Sequence, residues 1–230
     1  MKIITLDGPA GAGKSSTAKA LAHELGWYHM DTGAMYRSVA LAALEQNISL
    51  ENEKDLAELA ASLDIQSAHG DVFLNGRNIT AEIRTDRVTT ATRSVADAPS
   101  VREEMKKMQR SLSEEFNLVT EGRDQGTIVF PDAGLKIYLT ASIEERVKRR
   151  FKQLKEGGIS VNLRRLRMEI EERDDRDSKR EISPLKPAKD AIIVETTTLD
   201  AKEVVKKISG LVIGKIPNLS KEVVGYLNNK

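Results

Sequence analysis

The feature that most constrains the fold is a glycine-rich motif near the N-terminus that matches the pattern G-x-x-x-x-G-K-[ST]. It lies between a short apolar run at residues 2–6 and a helical pattern at residues 15–25. Glycines let the backbone curl so that successive N–H groups point inward, and the N-terminus of the following helix adds partial positive charge. The sequence therefore predicts a strand, a phosphate-binding loop and a helix, in this order. The motif consists of Gly8, Pro9, Ala10, Gly11, Ala12, Gly13, Lys14 and Ser15.

Three polar side chains at the end of the motif are candidates for contact with a nucleotide. We expect Lys14 to reach the outer phosphates as a cation. The Ser15 hydroxyl lies where the motif places an oxygen on the Mg²⁺ of the nucleotide, and Ser16 is an accessory candidate. The predicted nucleotide-binding set is therefore residues 8–16, with Mg²⁺ held through Ser15.

Charge and composition narrow the possible partners. The 230 residues include 36 Lys and Arg against 35 Asp and Glu, so the net charge of +1 creates no global attraction for nucleic acid or anionic lipid. The chain has no cysteine, which excludes disulfides and thiolate metal sites. No apolar run approaches the roughly 20 residues that span a bilayer, and the N-terminus lacks the apolar stretch of a secretion signal. We expect a cytoplasmic monomer that binds small molecules, without nucleic-acid or membrane partners.

Short apolar runs alternate with longer helical patterns, which is typical of parallel strands joined by helices. We predict an α/β fold of three layers around a five-stranded parallel sheet. The predicted strands are at residues 2–7, 27–30, 117–121, 135–140 and 191–195. The predicted helices are at residues 14–25, 33–46, 51–62, 99–114, 142–156, 162–178 and 201–210. Ser142 with Glu145, and Asp200 with Glu203, predict capping boxes at two helix starts.

Two regions interrupt this alternation. At residues 64–79 short strand-like pieces precede Asn75-Gly76, a strong signal for a two-residue hairpin turn, so we predict a small antiparallel insert. Residues 154–181 contain Gly157-Gly158 and then a helix dense in both charges, which predicts a mobile lid. No metal or catalytic role is assigned to the tail after residue 214, or to His23, His29 and His69.

The segment at residues 31–37 follows the second predicted strand and opens a helix. Ligands of open parallel sheets bind at the carboxyl ends of the strands, where this segment should lie. Thr32 is the predicted N-cap of the helix. Arg37 can serve as a phosphate clamp or be a surface arginine on an amphipathic helix, and the sequence leaves both interpretations open.

A second candidate segment, at residues 121–127, follows the strand at 117–121 and has glycines on both sides of an Arg-Asp pair. Arg123 offers a planar fork of donors that suits phosphate, and Asp124 can accept hydrogen bonds from the amino group of a base. The alternative is an Arg-Asp salt bridge at a turn. Glu121 can accept a hydrogen bond from a magnesium-bound water, and a capping or ion-pair role is equally open.

The charged helix before residue 181 supplies further cations. In phosphoryl transfer the transition state spreads negative charge over the migrating group, so cationic stabilisation is a large part of catalysis. The spacing of three and four residues places Arg173, Arg176 and Arg180 on one predicted helix face. The alternative is a solvated face braced by the carboxylates of Glu172, Asp174 and Asp177.

Taken together, these segments resemble the bacterial cytidylate kinase family. The resemblance runs from the first strand to about residue 211 and rests on residues 8–15, 31–37, 121–133 and 173–177. Many NTPases share the first of these segments, whereas the other three together are specific. The resemblance implies ATP-dependent phosphorylation of CMP and dCMP, with Mg²⁺ bound together with ATP, on the fold of the nucleoside monophosphate kinases.

The resemblance also implies roles for individual side chains. In the family, arginines matching Arg37, Arg123 and Arg180 hold the acceptor phosphate. Residues matching Arg102 and Asp124 contact the cytosine, and Arg173 and Asp177 match residues near the sugar. Together with the residue-level analysis, this gives a predicted acceptor-binding set of Thr32, Tyr36, Arg37, Arg102, Arg123, Asp124, Arg173, Asp177 and Arg180, and a predicted catalytic set of Lys14, Arg123, Arg176 and Arg180.

In one respect the sequence departs from the family. Some members carry a serine that touches the base, where the helix at residues 89–96 offers Arg93 or Ser94.

The sequence and the resemblance together predict a division of the chain into domains. It consists of a core at residues 1–31, 115–150 and 183–214, a monophosphate-binding domain at 32–114 with an insert at about 64–97, a lid at 151–182 and a tail at 215–230.

Other functions are compatible with a phosphate-binding loop. One is a kinase for another small acceptor, such as a different nucleoside monophosphate, shikimate or dephospho-coenzyme A. A GTP-dependent switch is disfavoured because the sequence has no Asn-Lys-x-Asp motif for reading guanine. An RNA-binding role for the arginine-rich helix is disfavoured by the near-neutral charge and the aromatic content of 4%.

Overall fold

Strands and helices account for most of the chain. The computed structural model describes residues 1–68, 70–216 and 219. Its strands are β1 (Ile3–Asp7), β2 (Tyr28–Asp31), β3 (Ile65–Ala68), β4 (Asp71–Leu74), β5 (Arg77–Asn78), β6 (Leu118–Gly122), β7 (Leu135–Thr140) and β8 (Ile192–Glu195). Its helices are α1 (Lys14–Leu25), α2 (Thr32–Glu45), α3 (Glu53–Ser62), α4 (Asp86–Asp97), α5 (Pro99–Glu115), α6 (Ile143–Glu156), α7 (Leu163–Lys179) and α8 (Ala201–Lys215). A 3₁₀ turn at Glu82–Arg84 and a π-helix at Gln125–Val129 complete the regular structure of the described residues.

Five of the strands form a parallel sheet in the order β2-β6-β1-β7-β8, which confirms the predicted α/β fold. The predicted ends of these strands agree with the structure to within one residue. Asp7 at the end of β1 is in register with Gly122 of β6 and with Tyr138 of β7. The carboxyl ends of these three strands therefore lie side by side, at the edge where open parallel sheets bind ligands.

One face of this sheet is covered by α1 and α8. Apolar side chains of the two helices, such as Leu21 and Ile208, are buried in one cluster with strand residues such as Ile4. Each fully buried aliphatic side chain contributes about 1.5–3 kcal/mol. Side chains alternate along a strand, so Thr5 lies on the opposite face, where it is also buried. The packing of α1 on the sheet fixes where the helix starts, and with it the position of the glycine-rich motif.

The chain divides into two compact units. The first consists of Met1 and His29–Phe116, and the second of Lys2–Tyr28 and Asn117–Lys230. The glycine-rich motif and the candidate segments at 121–127 and 173–180 belong to the second unit. The functional division into core, lid and tail stays a prediction. In the predicted tail, residues 217, 218 and 220–230 lie outside the described residues.

A three-stranded antiparallel sheet, β3-β4-β5, lies in the first unit and confirms the predicted insert. Asn75 and Gly76 join β4 to β5 with φ values of 49° and 80°, which is the backbone that a two-residue hairpin turn of type I′ requires. The strand β5 has only two residues, too few for a recognisable alternating pattern. His69, for which no role is predicted, lies outside the described residues.

The start of α2 differs from the prediction. Its N-cap is Asp31 and not Thr32, because Asp31 Oδ1 accepts a hydrogen bond from the Ala34 N–H at 2.8 Å. Asp31 ends β2 with the extended backbone that an N-cap needs, at φ −85° and ψ 95°. Thr32 is already the first helical residue and is buried.

Of the two predicted capping boxes, only that of α8 forms, with reciprocal bonds between Asp200 and Glu203. At α6 the Ser142 hydroxyl accepts from the Glu145 N–H at 3.3 Å, but the return bond is replaced. The Ser142 N–H instead donates to Thr197 Oγ1 at 2.8 Å, and the Glu145 carboxylate accepts from Arg149 Nε at 3.1 Å. A partner 55 residues away therefore takes the Ser142 N–H, and a neighbour one helical turn along α6 takes the Glu145 carboxylate.

Two helices extend beyond their expected bounds. The helix expected at residues 89–96 is α4, which begins at Asp86 after the N-cap Thr85. The last helix, α8, continues past Gly210 to Lys215. A glycine inside a helix costs about 1 kcal/mol, which the burial of Val212 on the next turn offsets.

Substitution of Gly8 tests whether the close approach of β7 requires a glycine at the start of the loop. Its φ is +146°, and a Cβ atom there would lie 2.0 Å from the Leu139 backbone oxygen. We expect Gly8→Ala to lower the free energy of unfolding by about 3 kcal/mol or more. Gly26→Ala is the matched control, because Gly26 has φ +64° but nothing within 4 Å of its Cβ position, so only strain of about 1–2 kcal/mol remains. Urea denaturation measures both variants, and equal losses would contradict the steric explanation.

Candidate active site

The glycine-rich motif forms a loop between β1 and α1. Gly8, Gly11 and Gly13 all have positive φ, at 146°, 77° and 93°. A Cβ at Gly11 would lie 3.1 Å from both the backbone oxygen and the Cβ of Arg146 on α6, so the loop is packed closely against that helix. Gly13 is the N-cap of α1. The loop therefore has the glycine-dependent backbone that the motif predicted, directly before a helix N-terminus.

Lys14 is buried at the start of α1. Its Nζ donates to the Pro9 carbonyl oxygen at 2.7 Å, which holds the ammonium group against the loop. Burial, followed by the positive charge of Arg123, lowers the pKa of Lys14 well below its ordinary value, while Glu121 acts in the opposite direction. Arg173 also lowers this pKa. The lysine of the loop and two predicted arginines thus share one electrostatic environment.

The hydroxyl and carboxylate expected to serve Mg²⁺ lie together. Ser15 Oγ donates to Glu121 Oε2 at 2.6 Å, and Glu121 is buried near the end of β6. Oxygen atoms of this kind are the ligands that Mg²⁺ prefers, either directly or through water. The donor set therefore fits the ion. The Ser16 hydroxyl instead donates to the Gly13 carbonyl oxygen at 3.0 Å, so it supports the start of the helix.

A buried carboxylate, Asp177, gathers three of the predicted arginines. Its oxygens lie 2.8 Å from Arg123 Nε, 2.8 Å from Arg180 Nη2 and 4.0 Å from Arg173 Nε. Burial acts to raise the pKa of Asp177, but Arg123 and Arg180 outweigh it and hold the pKa below its ordinary value. The structure therefore brings Arg123 to Arg173, Asp177 and Arg180, although Asp177 lies 54 residues further along the chain than Arg123.

The prediction that three arginines share one face of the charged helix is wrong. The helix α7 ends at Lys179, and Arg180 is its C-cap with φ −56° and ψ 136°. Arg176 lies 3.9 Å from Glu172, and 44% of its side chain is exposed, so it does not join the arginines around Asp177. The i,i+4 spacing favours an ion pair between Arg176 and Glu172 on the solvent-exposed side of α7. The alternative interpretation predicted such a pair for this residue.

Asp7 is a buried carboxylate beside the loop for which the sequence predicted no role. It ends β1 directly before the loop, and its Oδ1 and Oδ2 accept from the backbone N–H groups of Gln125 and Gly126 at 3.0 and 2.7 Å. Asp124, immediately before these residues, is buried. Burial raises the pKa of Asp7 to about 6, although the two backbone N–H groups act to lower it. The sequence signal that could have identified Asp7 is a carboxylate at the end of an apolar strand.

Two further arginines on α6 hold the surroundings of the loop. Arg146 donates from Nε to the Ala141 carbonyl oxygen and from Nη1 to the Ala10 carbonyl oxygen, both at 3.1 Å, and pairs with Asp174. Arg149 donates to Thr196 Oγ1 at 3.0 Å and to the Thr196 carbonyl oxygen at 2.5 Å. Sequence analysis missed both arginines because α6 has no motif and reads as an ordinary charged helix.

The remaining predicted residues lie in the first unit. Arg37 Nη2 is 3.6 Å from Asp31 Oδ2. The Arg102 guanidinium lies 5.5 Å from the centroid of the Tyr36 ring, and its Nη1 donates to the Ala96 carbonyl oxygen at 2.8 Å. Within this unit, the structure thus places Tyr36 next to Arg102. The two candidates for a base-contacting residue on α4, at 93 and 94, are both exposed.

Asp7 makes the stability of the protein depend on pH. Because its folded pKa of about 6 is above the ordinary 3.8, its contribution is greatest below pH 3.8 and is lost as the pH rises through 6. At 1.36 kcal/mol per pKa unit, we expect the free energy of unfolding of the wild type to fall by about 3 kcal/mol relative to Asp7→Asn over this range. Chemical denaturation at a series of pH values measures the difference, with Asp132→Asn as the control for net charge. A difference that does not change with pH would contradict the assignment.

Comparison with known proteins identifies relatives over most of the chain. The family model described as cytidylate kinase matches residues 4–213. The cytidylate kinase of Enterobacter sp. (strain 638) is 48% identical over 209 residues, covering 89% of this chain and 92% of that protein. The cytidylate kinase of Shewanella loihica (strain ATCC BAA-1088 / PV-4) is 45% identical over 222 residues, covering 94% of this chain and 96% of that protein.

Solved structures at low sequence identity share the fold. The crystal structure of TT1252 from Thermus thermophilus matches with a TM-score of 0.50 at 20% identity, covering 94% of this chain and 98% of that one. An uncharacterized protein from Eubacterium ventriosum ATCC 27560 matches with a TM-score of 0.52 at 12% identity, covering 93% of this chain and 99% of that one.

Proposed function

The chain belongs to the cytidylate kinase family, and from that membership and the geometry above we propose which residues carry out its reaction. The protein is a nucleoside monophosphate kinase that transfers a phosphoryl group from ATP to CMP and dCMP. The observation that carries the residue assignment is the convergence of Arg123, Arg173 and Arg180 on Asp177 in the unit that holds the glycine-rich loop.

ATP occupies the loop of residues 8–16 in this proposal. Backbone N–H groups of the loop and the N-terminus of α1 bind its phosphates, and Lys14 contributes the nearest cation. When bound, Mg²⁺ neutralises part of the charge on the donor phosphates. Ser15 would hold the ion, and Glu121 would accept a hydrogen bond from a water bound to it. The partly buried 2.6 Å contact between Ser15 and Glu121 supports this pairing of oxygen donors.

CMP is the second nucleotide, and its phosphate binds to Arg123 and Arg180. Both guanidinium groups are oriented by Asp177, which supports the role of that carboxylate in holding them together. Arg173 and Asp177 serve the sugar, and Asp124 accepts from the cytosine amino group. Family resemblance supports base contact by Arg102 and acceptor binding by Thr32, Tyr36 and Arg37. Arg176 is included as a further catalytic cation on the sequence prediction for the charged helix alone.

Phosphoryl transfer then needs positioning and cations more than acid-base groups. An oxygen of the CMP phosphate attacks the γ-phosphorus of ATP, the bond to the β,γ-bridging oxygen breaks, and ADP and CDP result. The acceptor oxygen is already anionic, so no general base is required. Lys14, Arg123 and Arg180 stabilise the charge that spreads over the migrating group. Movement of the lid at residues 151–182 excludes water as a competing acceptor.

The family assignment also supports proposals about the location, the partners and the domains of the protein. Within the described residues, no helix combines the length and apolarity needed to cross a membrane. We propose a cytoplasmic monomer whose partners are nucleotides and not nucleic acid. The core at 1–31, 115–150 and 183–214, the monophosphate-binding domain at 32–114 with its insert at about 64–97, and a tail without catalytic function complete the proposal.

Lys14→Ala tests the role of the loop cation. Loss of the nearest fixed positive charge to the migrating phosphoryl group should lower kcat by roughly 10²–10³-fold. Lys19→Ala, an exposed lysine on the same helix, is the matched control and should change kcat by less than about twofold. Steady-state kinetics with ATP, Mg²⁺ and CMP measure both, and a wild-type kcat in Lys14→Ala would refute the role.

The acceptor assignment is tested with all common nucleoside monophosphates as substrates. The wild type should prefer CMP and dCMP. Asp124→Ala should reduce kcat/KM for CMP by roughly 10–100-fold, the worth of a hydrogen bond to a charged group, and change UMP by less than threefold, because uracil has no amino group to donate. Asp132→Ala removes an exposed carboxylate nearby in sequence and serves as the control. Equal losses for CMP and UMP would show that the base is read elsewhere.

A further inference from the structure

Ala10, in the middle of the glycine-rich loop, is held by two side chains that lie outside the loop. Its backbone N–H donates to Asp174 Oδ1 at 3.2 Å, and its carbonyl oxygen accepts from Arg146 Nη1 at 3.1 Å. Arg146 and Asp174 also form an ion pair with each other. One arginine-carboxylate pair, from α6 and α7, therefore bonds both polar backbone groups of a single loop residue.

The pair is fixed in place by more than its mutual attraction. Only 10% of the Arg146 side chain and 19% of the Asp174 side chain are exposed, so both charges are largely removed from water. Arg146 Nε also donates to the carbonyl oxygen of Ala141, the residue before the N-cap of α6. The same helix contacts the loop at Gly11. A pair buried in this way keeps a defined geometry, unlike an exposed salt bridge.

These bonds set the orientation of two consecutive peptide groups. A peptide group is planar and trans, so its C=O and N–H point in opposite directions. In the group that joins Pro9 to Ala10, the oxygen faces Lys14 Nζ at 2.7 Å while the N–H faces Asp174. In the next group, the oxygen of Ala10 faces Arg146, so the N–H of Gly11 points away from that arginine. The loop can offer N–H groups to a phosphate only while these directions are kept.

We propose that Arg146 and Asp174 are positioning residues for the donor nucleotide, acting through the peptide groups around Ala10 and not by contact with ATP. The proposal rests on the assignment of the loop as the ATP site. Asp174 is also next to Arg173 and one helical turn from Asp177 on α7. The pair thus ties the helix that carries acceptor residues to the loop that carries the donor.

Substitution of Asp174 tests the proposal, with Asp175 as a matched control. Asp175 is the next residue on the same helix, but it is exposed and pairs with the exposed Lys179, one turn further along, at 2.8 Å. We expect Asp174→Ala to raise KM for ATP and Kd for ADP at least tenfold, while Kd for adenosine changes less than twofold because adenosine has no phosphate. Asp174→Asn keeps an oxygen for the Ala10 N–H and should recover at least threefold. Asp175→Ala should change none of these values more than twofold.

Arg146→Met and the double variant with Asp174→Ala complete the experiment. If the two residues act as one unit, the double variant loses no more ADP affinity than the weaker-binding single variant. Calorimetry measures ADP and adenosine binding, coupled kinetics measure KM and kcat, and thermal unfolding shows that each variant is folded at the assay temperature. Asp174→Asn, which retains the size of the side chain, serves if the alanine variant does not fold.

Several results would overturn the positioning role. They are an unchanged KM for ATP in folded Asp174→Ala and Arg146→Met, an equal loss of adenosine and ADP affinity, or an Asp175→Ala effect as large as that of Asp174→Ala. Failure of the proposed function would look different. In that case the wild type and Asp175→Ala would themselves not phosphorylate CMP.

Discussion

Repulsion among cations that lie close together in a poorly solvated region is the constraint on which the rest of this structure depends. Burial, followed by the positive charge of Arg123, lowers the pKa of Lys14, so this ammonium group lies where water solvates it poorly and a second cation is near. Such charges remain only where carboxylates or hydrogen bonds offset them. Asp177 does this for Arg123 and Arg180, and Glu121 for Lys14. A nucleotide polyphosphate is the natural complement of the positive charge that is left over.

The sheet supplies the fixed points for this arrangement. Asp7, Gly122 and Tyr138 are in register at the ends of three neighbouring strands, so the segments that follow β1, β6 and β7 begin at one edge. Asp7 bonds the N–H groups of Gln125 and Gly126 and thereby joins the end of β1 to the segment after Arg123 and Asp124. On the other side of the loop, α6 and α7 hold Ala10 through Arg146 and Asp174. The position of the loop thus depends on long-range contacts as much as on its own glycines.

Sequence reasoning succeeded where a pattern is local or carried by a motif. The five strands of the parallel sheet, the Asn75-Gly76 turn and the capping box of α8 were all predictable, since short apolar runs, a positive-φ pair and cap spacing act within a few residues. It failed where a distant group competes for the same atom. Thr197 takes the Ser142 N–H that the capping box of α6 would use, and the spacing of arginines on α7 could not reveal that Arg180 lies beyond the helix end.

The sequence by itself determined the phosphate-binding loop, because its N–H groups come from consecutive residues whose glycines are both necessary and recognisable. It also determined the parallel sheet and, through the segments at 121–133 and 173–177, the family. Only the tertiary structure decided which charges meet. Asp177 pairs with Arg123 and not with Arg176, which is closer in sequence. Ala10 is bonded to Arg146, 136 residues away, and to Asp174, 164 residues away. Coulomb and hydrogen-bond energies depend on distance in space, and no spacing along the chain encodes which charged residues the fold brings within a few ångströms.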